Sequence, residues 1–158
     1  MHTIFIIFGI MKREEAIDYN VKAAWHAISR MYNQQAIQNG ITTSIGFVLL
    51  NINTKEGTPA TKIAPLMGLE SRSLTRMLKN MEEKGLIYKK PDTEDKRSVK
   101  IFLTEKGIEK KAVSRETVKI FNEEVFKRIN KDQLKAFYDT INVINEIIDE
   151  DELYKTKA

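Results

Sequence analysis

The sequence predicts a mainly α-helical protein interrupted by one β-hairpin, and three observations support this fold class. Apolar residues recur every three or four positions over most of the 158-residue chain, as they do in amphipathic helices. Only residues 86–103 contain strand-like segments, one of which alternates apolar and polar residues. Stop and restart signals such as Asn39-Gly40 and Asn130 separate the helical segments. With 42% hydrophobic residues, the chain can bury one sizeable core.

The first two helices follow from periodicity and caps. From about Ala16 to Gln38, apolar residues including Trp25 and Tyr32 form one face of a long helix. Asn39-Gly40 supplies the left-handed stop that commonly ends a helix. The Thr42-Thr43-Ser44 run then offers a cap for a second helix.

Two short helices joined by a tight, glycine-containing turn come next. We expect Thr58 to cap the third helix, with Pro59 in its first position and Pro65 bending it near its middle. The fourth helix is expected from about Ser71 to Lys84, and its apolar stripe consists of Leu74, Met77, Leu78 and Met81. This arrangement is typical of a helix-turn-helix, whose second helix lies in the DNA major groove.

The other side of the fourth helix is polar. Its side chains are Arg72, Ser73, Thr75, Arg76 and Lys79. Arginine can bond bidentately to guanine, and serine and threonine can reach bases or phosphates. The pattern therefore predicts a reading helix and double-stranded DNA as its partner.

The positive charge of the chain is concentrated in this region. Between Arg72 and Lys100 we count nine basic and five acidic residues, which leaves 17 of each in the rest of the sequence. The net charge of +4 therefore lies in one segment. A local positive surface suits a polyanion, because neutralised phosphates release counterions. Charge alone would equally describe an ordinary solvated face.

A hairpin with a polar tip follows Gly85. Strand-like runs at 86–90 and 99–103 flank a tip of turn formers and charges. A basic tip can reach an adjacent minor groove, whose negative potential favours an inserted arginine such as Arg97. Asp95 either holds the Arg97 guanidinium by a charge-assisted bond or only shapes the turn.

Two long helices complete the chain. The first is capped by Thr104, and the second runs from about Asp132 to Glu150. Their apolar stripes are too long to serve only a small DNA-reading core. We expect them to pack against a second copy, because a two-fold dimer presents two reading helices about one DNA turn apart.

Several classes of chemistry are not supported by the composition. The sequence has no cysteine and two histidines, which excludes disulfides, thiol catalysis and a histidine-rich zinc site. It shows no phosphate loop, nucleophile–base set or metal cluster, so we expect no enzyme activity, metal or cofactor, although its many carboxylates leave a hard-metal site open. Residues 1–10 are apolar but too short to span a membrane, and we expect them to be a leader or a misassigned start. A cytoplasmic location without membrane association is expected.

The order of these elements resembles the MarR family of winged helix-turn-helix regulators. The resemblance covers about Glu14 to Glu150, and it depends on these segments: Gly40-Ile41-Thr42, the run from Gly68 to Leu78, Glu82 to Ile87, Asp95-Lys96-Arg97 and Leu103-Thr104. It implies a mainly α, winged helix-turn-helix fold with N- and C-terminal dimerisation helices. The implied organisation is a dimerisation helix at 11–40, a DNA-binding lobe at 41–104 and C-terminal dimerisation helices at 105–158. The leader and Pro65 depart from the family pattern.

The resemblance also implies roles for individual residues. Those matching the major-groove positions are Ser71, Arg72, Ser73, Thr75 and Arg76, while Arg97 matches the minor-groove arginine and Asp95 its support. With Lys79 and Lys96, these form the expected DNA-binding set. Family members commonly respond to small amphipathic effectors or to cysteine oxidation. Regulation by cysteine oxidation is excluded here because the sequence has no cysteine.

The function expected from these observations is a repressor that binds a palindromic operator as a homodimer and is released by a small amphipathic effector. Trp25 and Tyr32 are candidates for the effector pocket, although aromatic residues at helical spacing are more often packing residues. The alternative is a winged-helix protein-interaction module without sequence-specific DNA binding.

Overall fold

The computed structural model describes residues 12–92 and 99–150 of the chain. After a short 3-10 turn at Arg13–Glu15, the elements in chain order are α1 (Ile17–Gln38), α2 (Thr43–Asn51), β1 (Thr58–Pro59), α3 (Ala60–Leu66), α4 (Ser71–Glu83), β2 (Ile87–Pro91), β3 (Val99–Leu103), α5 (Glu105–Arg128) and α6 (Lys131–Asp149). The chain falls into two compact units, Met1–Thr117 and Val118–Ala158. In the described ranges, no helix is long and apolar enough to cross a membrane.

The junction between α1 and α2 forms as its local sequence predicts. Gly40 adopts a φ of 72°, and the Ile41 N–H donates to the Ala36 carbonyl at 3.1 Å. This pairing satisfies carbonyls at the end of α1 that would otherwise lack a partner. The Thr42 hydroxyl oxygen accepts from the Ile45 N–H at 3.3 Å and caps α2. The predicted stop and cap are therefore confirmed.

The predicted start of α3 is wrong. Thr58 and Pro59 form strand β1, in which Thr58 lies opposite Ile101 of β3. The Thr58 hydroxyl oxygen accepts from the Asn53 N–H at 2.8 Å, and Pro59 is the N-cap residue of α3. Pairing with a strand distant in sequence overrides the local helix-start signal, and a periodicity argument cannot detect such a partner.

A tight turn connects α3 to α4. Pro65 is the second-to-last residue of α3, so it does not lie near the middle as expected. Gly68 has a φ of 59°, and the Leu69 N–H donates to the Ala64 carbonyl at 3.1 Å. Because the left-handed conformation is easiest for glycine, this turn lets α4 begin three residues later.

The hairpin belongs to a three-stranded antiparallel sheet in the order β1-β3-β2, so the predicted two-stranded ribbon lacked one strand. Tyr88 lies opposite Phe102, and Lys90 lies opposite Lys100. The inner face of the sheet contributes Ile87, Ile101 and Leu103 to the core. That core also contains Ile41, Ile45, Val48, Leu49, Ile52, Ile63, Ala64, Leu74, Leu78, Met81 and Leu86.

Helix α5 starts against the backbone that leads into β2. The Thr104 N–H donates to the Leu86 carbonyl at 3.1 Å, and the Thr104 hydroxyl oxygen accepts from the Gly107 N–H at 3.0 Å. A Cβ at position 107 would lie 2.0 Å from the Leu86 carbonyl oxygen. Thr104 therefore caps α5 as predicted, and only glycine permits this close approach.

One turn later, α5 contributes a buried cation. The Lys111 side chain is 8% exposed, and its ammonium group donates to the carbonyl of Ile52, the C-cap residue of α2. A cation at this position satisfies a carbonyl and suits the negative end of the α2 dipole. Burial lowers the pKa of Lys111, and the nearby Arg115 charge lowers it further.

Helix α6 begins with a capping box. The Asn130 side chain accepts from the Gln133 N–H at 2.8 Å, while the Gln133 side chain accepts from the Asn130 N–H at 2.9 Å. Phe137, Tyr138 and Ile148 are all more than half exposed in the single chain. The second unit therefore presents an extensive apolar surface.

Candidate nucleic-acid interface

Helix α4 has two chemically different sides. Leu74, Leu78 and Met81 are buried, and their spacing of four and three residues places them on one stripe. The side chains predicted to read DNA are all exposed: Ser71, Arg72, Ser73, Thr75, Arg76 and Lys79. The structure therefore brings this set together on the solvent-facing side of one helix.

The polar side chains of α4 differ in the contacts they make with other groups of the protein. The Thr75 hydroxyl donates to the Ser71 carbonyl at 2.8 Å, which orients its oxygen and leaves lone pairs to accept other bonds. The Lys79 ammonium lies 4.0 Å from the Glu83 carboxylate in an exposed pair that contributes little to stability. Within the described residues, Arg72 forms no ion pair.

Strands β2 and β3 form the wing beside α4. The predicted wing residues Asp95, Lys96 and Arg97 lie outside the described residues, which end at Asp92 and resume at Val99. The wing sheet is joined to α4 by the Lys89 ammonium, which is 2.5 Å from the Glu82 carboxylate. This contact connects a β2 side chain directly to the end of α4.

A buried carboxylate at the base of the wing was missed by the sequence reasoning. Asp92 is 6% exposed, and one of its oxygens lies 3.9 Å from the Lys100 ammonium. A buried charge requires a partner, so Asp92 has a structural role where the chain enters the polar tip. In sequence, Asp92 is one of several charged residues there, and no local signal separates it from Asp95.

Comparison with known proteins assigns the chain to a family. The family model described as MarR matches residues 41–99. Over 108 residues, the chain is 35% identical to the organic hydroperoxide resistance transcriptional regulator of Bacillus subtilis, covering 67% of this chain and 74% of that protein. The chain belongs to the MarR family. Its sequence is thus similar to transcriptional regulators of this family, as its motifs suggested.

A second relative and a solved structure agree with this assignment. The chain is 36% identical over 89 residues to the HTH-type transcriptional regulator TtmR of Methylorubrum extorquens, a match covering 56% of this chain and 46% of TtmR. It therefore spans less than half the length of that relative. The crystal structure of the S. aureus MepR–DNA complex superposes with a TM-score of 0.76 at 20% identity, covering 83% of this chain and 97% of that one. This likeness confirms the mainly α, winged helix-turn-helix fold.

The two candidate effector residues of this MarR-family chain meet around a third aromatic ring. The Trp25 ring stacks on Phe47 at a centroid distance of 6.0 Å, and the Tyr32 ring meets Phe47 edge-on at 6.0 Å. Trp25 is 53% exposed, whereas Tyr32 is buried and its pKa is raised by burial. Phe47 was not singled out from the sequence, although it is the aromatic residue of α2.

Proposed function

We propose that this MarR-family chain is a transcriptional repressor that binds a palindromic operator as a homodimer. The observation that carries the proposal is the division of α4 into a buried apolar stripe and an exposed polar side. On this proposal, Arg72 and Arg76 read bases, Ser71, Ser73 and Thr75 reach bases or phosphates, and Lys79 binds the backbone. The protein would then act in the cytoplasm, where its DNA target lies.

The wing completes the proposed contact with DNA. Arg97 enters the minor groove next to the major groove occupied by α4, and Lys96 supplies a second positive charge at the tip. Asp95 orients the Arg97 guanidinium. The net positive charge of the segment from Arg72 to Lys100 supports this assignment, since phosphate neutralisation is the main sequence-independent source of affinity.

Exposed apolar side chains support the homodimer. On α1, Ile17, Val21 and Trp25 are each about half exposed in the single chain. On α6, Phe137 and Ile148 are also exposed. Large exposed apolar patches in a water-soluble protein mark interaction surfaces. We assign residues 11–40 and 105–158 to dimerisation and residues 41–104 to the DNA-binding lobe.

We further propose that a small amphipathic molecule with an aromatic ring binds at Trp25, Phe47 and Tyr32. The half-exposed Trp25 ring offers an apolar face, and both Trp25 and Tyr32 contact the Phe47 ring. The Bacillus subtilis relative is named for organic hydroperoxide resistance. Oxidation of a cysteine cannot be the signal in this sequence, because it contains none.

Selection of bound fragments from a random DNA library with the purified protein tests the proposal. A recovered palindrome with half-sites about one helical turn apart is expected for a dimer with two reading helices. Sedimentation of the protein with this duplex should give two chains per site. A featureless, purely salt-dependent binding profile would contradict the palindromic operator. Failure to bind any duplex would instead favour the protein-interaction module.

A further inference from the structure

The outer face of the wing carries an aromatic stack with a lysine above it. Tyr88 of β2 and Phe102 of β3 are cross-strand partners whose ring centroids lie 5.4 Å apart with planes inclined by 16°. The Lys90 ammonium lies 5.3 Å from the centroid of each ring. We name these three residues the wing cluster. Tyr88 is 39% exposed, so the cluster lies at the surface.

Lys90 differs in its contacts from the neighbouring lysines of the sheet. Lys89 is paired with Glu82, and Lys100 lies close to Asp92. The described contacts of Lys90 are instead with the faces of two rings. Attraction to a ring face orients an ammonium group but leaves N–H donors free for an oxygen ligand. The wing cluster therefore holds a positive charge in place without neutralising it.

Lys90 is the second-to-last residue of β2, close to the point where the chain leaves the sheet. It precedes Pro91 and Asp92, where the chain enters the tip that contains Arg97. On the proposed function, Arg97 enters the minor groove, so the end of β2 lies next to the phosphates that line this groove.

We propose that Lys90, oriented by the Tyr88–Phe102 stack, binds a backbone phosphate beside the minor groove that the wing enters. The inference rests on the proposed DNA-binding function and adds a contact outside the set predicted from the sequence. A phosphate contact fixes the position of the protein on the duplex and carries no base information. Lys90 thus contributes to affinity equally for operator and unrelated DNA.

The salt dependence of DNA binding tests this contact. The dissociation constant is measured by fluorescence anisotropy from about 50 to 200 mM salt, with the selected duplex and with an unrelated duplex of equal length. Each phosphate contact contributes about 0.9 to the slope of log affinity against log salt. Lys90→Gln should therefore lower the slope by about 1.8 for a dimer with two wings, on both duplexes.

Three further variants distinguish this contact from other effects. Lys90→Arg keeps the charge and should retain the wild-type slope. Lys135→Gln removes one positive charge from the exposed surface of α6, outside the proposed lobe, and should also leave the slope unchanged in samples that sedimentation shows to be dimeric. Tyr88→Leu should keep the slope but weaken binding several-fold, because the ammonium is no longer held in place.

The possible results separate the inference from the function on which it rests. An unchanged slope for Lys90→Gln, in a protein that still binds the selected duplex, overturns the Lys90 contact and leaves the proposed function intact. An equal slope loss in Lys135→Gln also overturns it, because overall charge would then be the cause. A wild-type protein that binds neither duplex refutes the proposed function and the contact together.

Discussion

Replacing Gly107 by alanine tests how the start of α5 packs against the backbone at Leu86. The added Cβ would lie 2.0 Å from the Leu86 carbonyl oxygen and 3.1 Å from its carbon, whereas carbon–oxygen contacts are ordinarily about 3.3 Å or longer. These are backbone atoms, so relief requires α5 to move by more than about 1 Å. That movement would also disturb the Thr104 cap and its bond to Leu86.

The expected loss is about 2 kcal/mol in the free energy of unfolding. Overpacking costs about 1–3 kcal/mol and a weakened cap about 1 kcal/mol, while the greater helix propensity of alanine returns about 1 kcal/mol. For a chain of this size, the melting temperature should fall by about 4–8 °C. Urea and thermal unfolding should be followed at one fixed protein concentration, because the proposed dimerisation would make apparent stability concentration-dependent.

Gly46→Ala is the matched control in another helix. Its added Cβ would meet the Ser114 hydroxyl oxygen at 3.0 Å, and that oxygen can rotate away at the cost of its bond to the Lys110 carbonyl. We therefore expect the Gly46→Ala variant to stay within about 1 kcal/mol of the wild type. If Gly107→Ala is as stable as the wild type, the close approach of α5 to Leu86 does not constrain the fold, and the reasoning is refuted.

Three further predictions concern caps, a buried cation and the wing. Thr42→Ala should lower the free energy of unfolding by about 1 kcal/mol in urea titrations, because the Ile45 N–H loses its acceptor; Thr42→Ser should restore most of this. Lys111→Met should cost about 1–3 kcal/mol, because it leaves the Ile52 carbonyl unpaired, and an unchanged unfolding midpoint would argue against that bond. Arg97→Ala should weaken operator binding and lower its salt slope, and unchanged affinity in anisotropy titrations would exclude the wing assignment.

The features predicted correctly from the sequence are those governed by neighbouring residues. The Gly40 stop and the caps at Thr42 and Thr104 depend on side chains within a few positions of the atoms they pair with. The buried stripe of α4 follows from its 3.6-residue period, and its exposed polar side follows from the same geometry. The order and spacing of the motifs carried the resemblance to the MarR family, which the comparisons confirmed.

The features that were missed depend on contacts between distant parts of the chain. Strand β1 exists because Thr58 and Pro59 pair with β3, and this pairing removed Thr58 from its expected capping role. The burial of Asp92 and its approach to Lys100 arise only when the strands of the hairpin lie side by side. The assignments of Asp95, Lys96 and Arg97 remain predictions from the sequence.

The sequence by itself predicted the mainly α-helical class of this protein, the amphipathic character of α4 and its resemblance to the MarR family. Periodicity, caps and motif spacing each depend on residues close together in the sequence, so they can be recognised before the tertiary structure is known. The tertiary structure decided which side chains come into contact: Phe47 with Trp25 and Tyr32, Lys111 with the end of α2, and Lys90 with two rings. These contacts join residues of different helices and strands, and only the packing of the whole lobe brings those elements together.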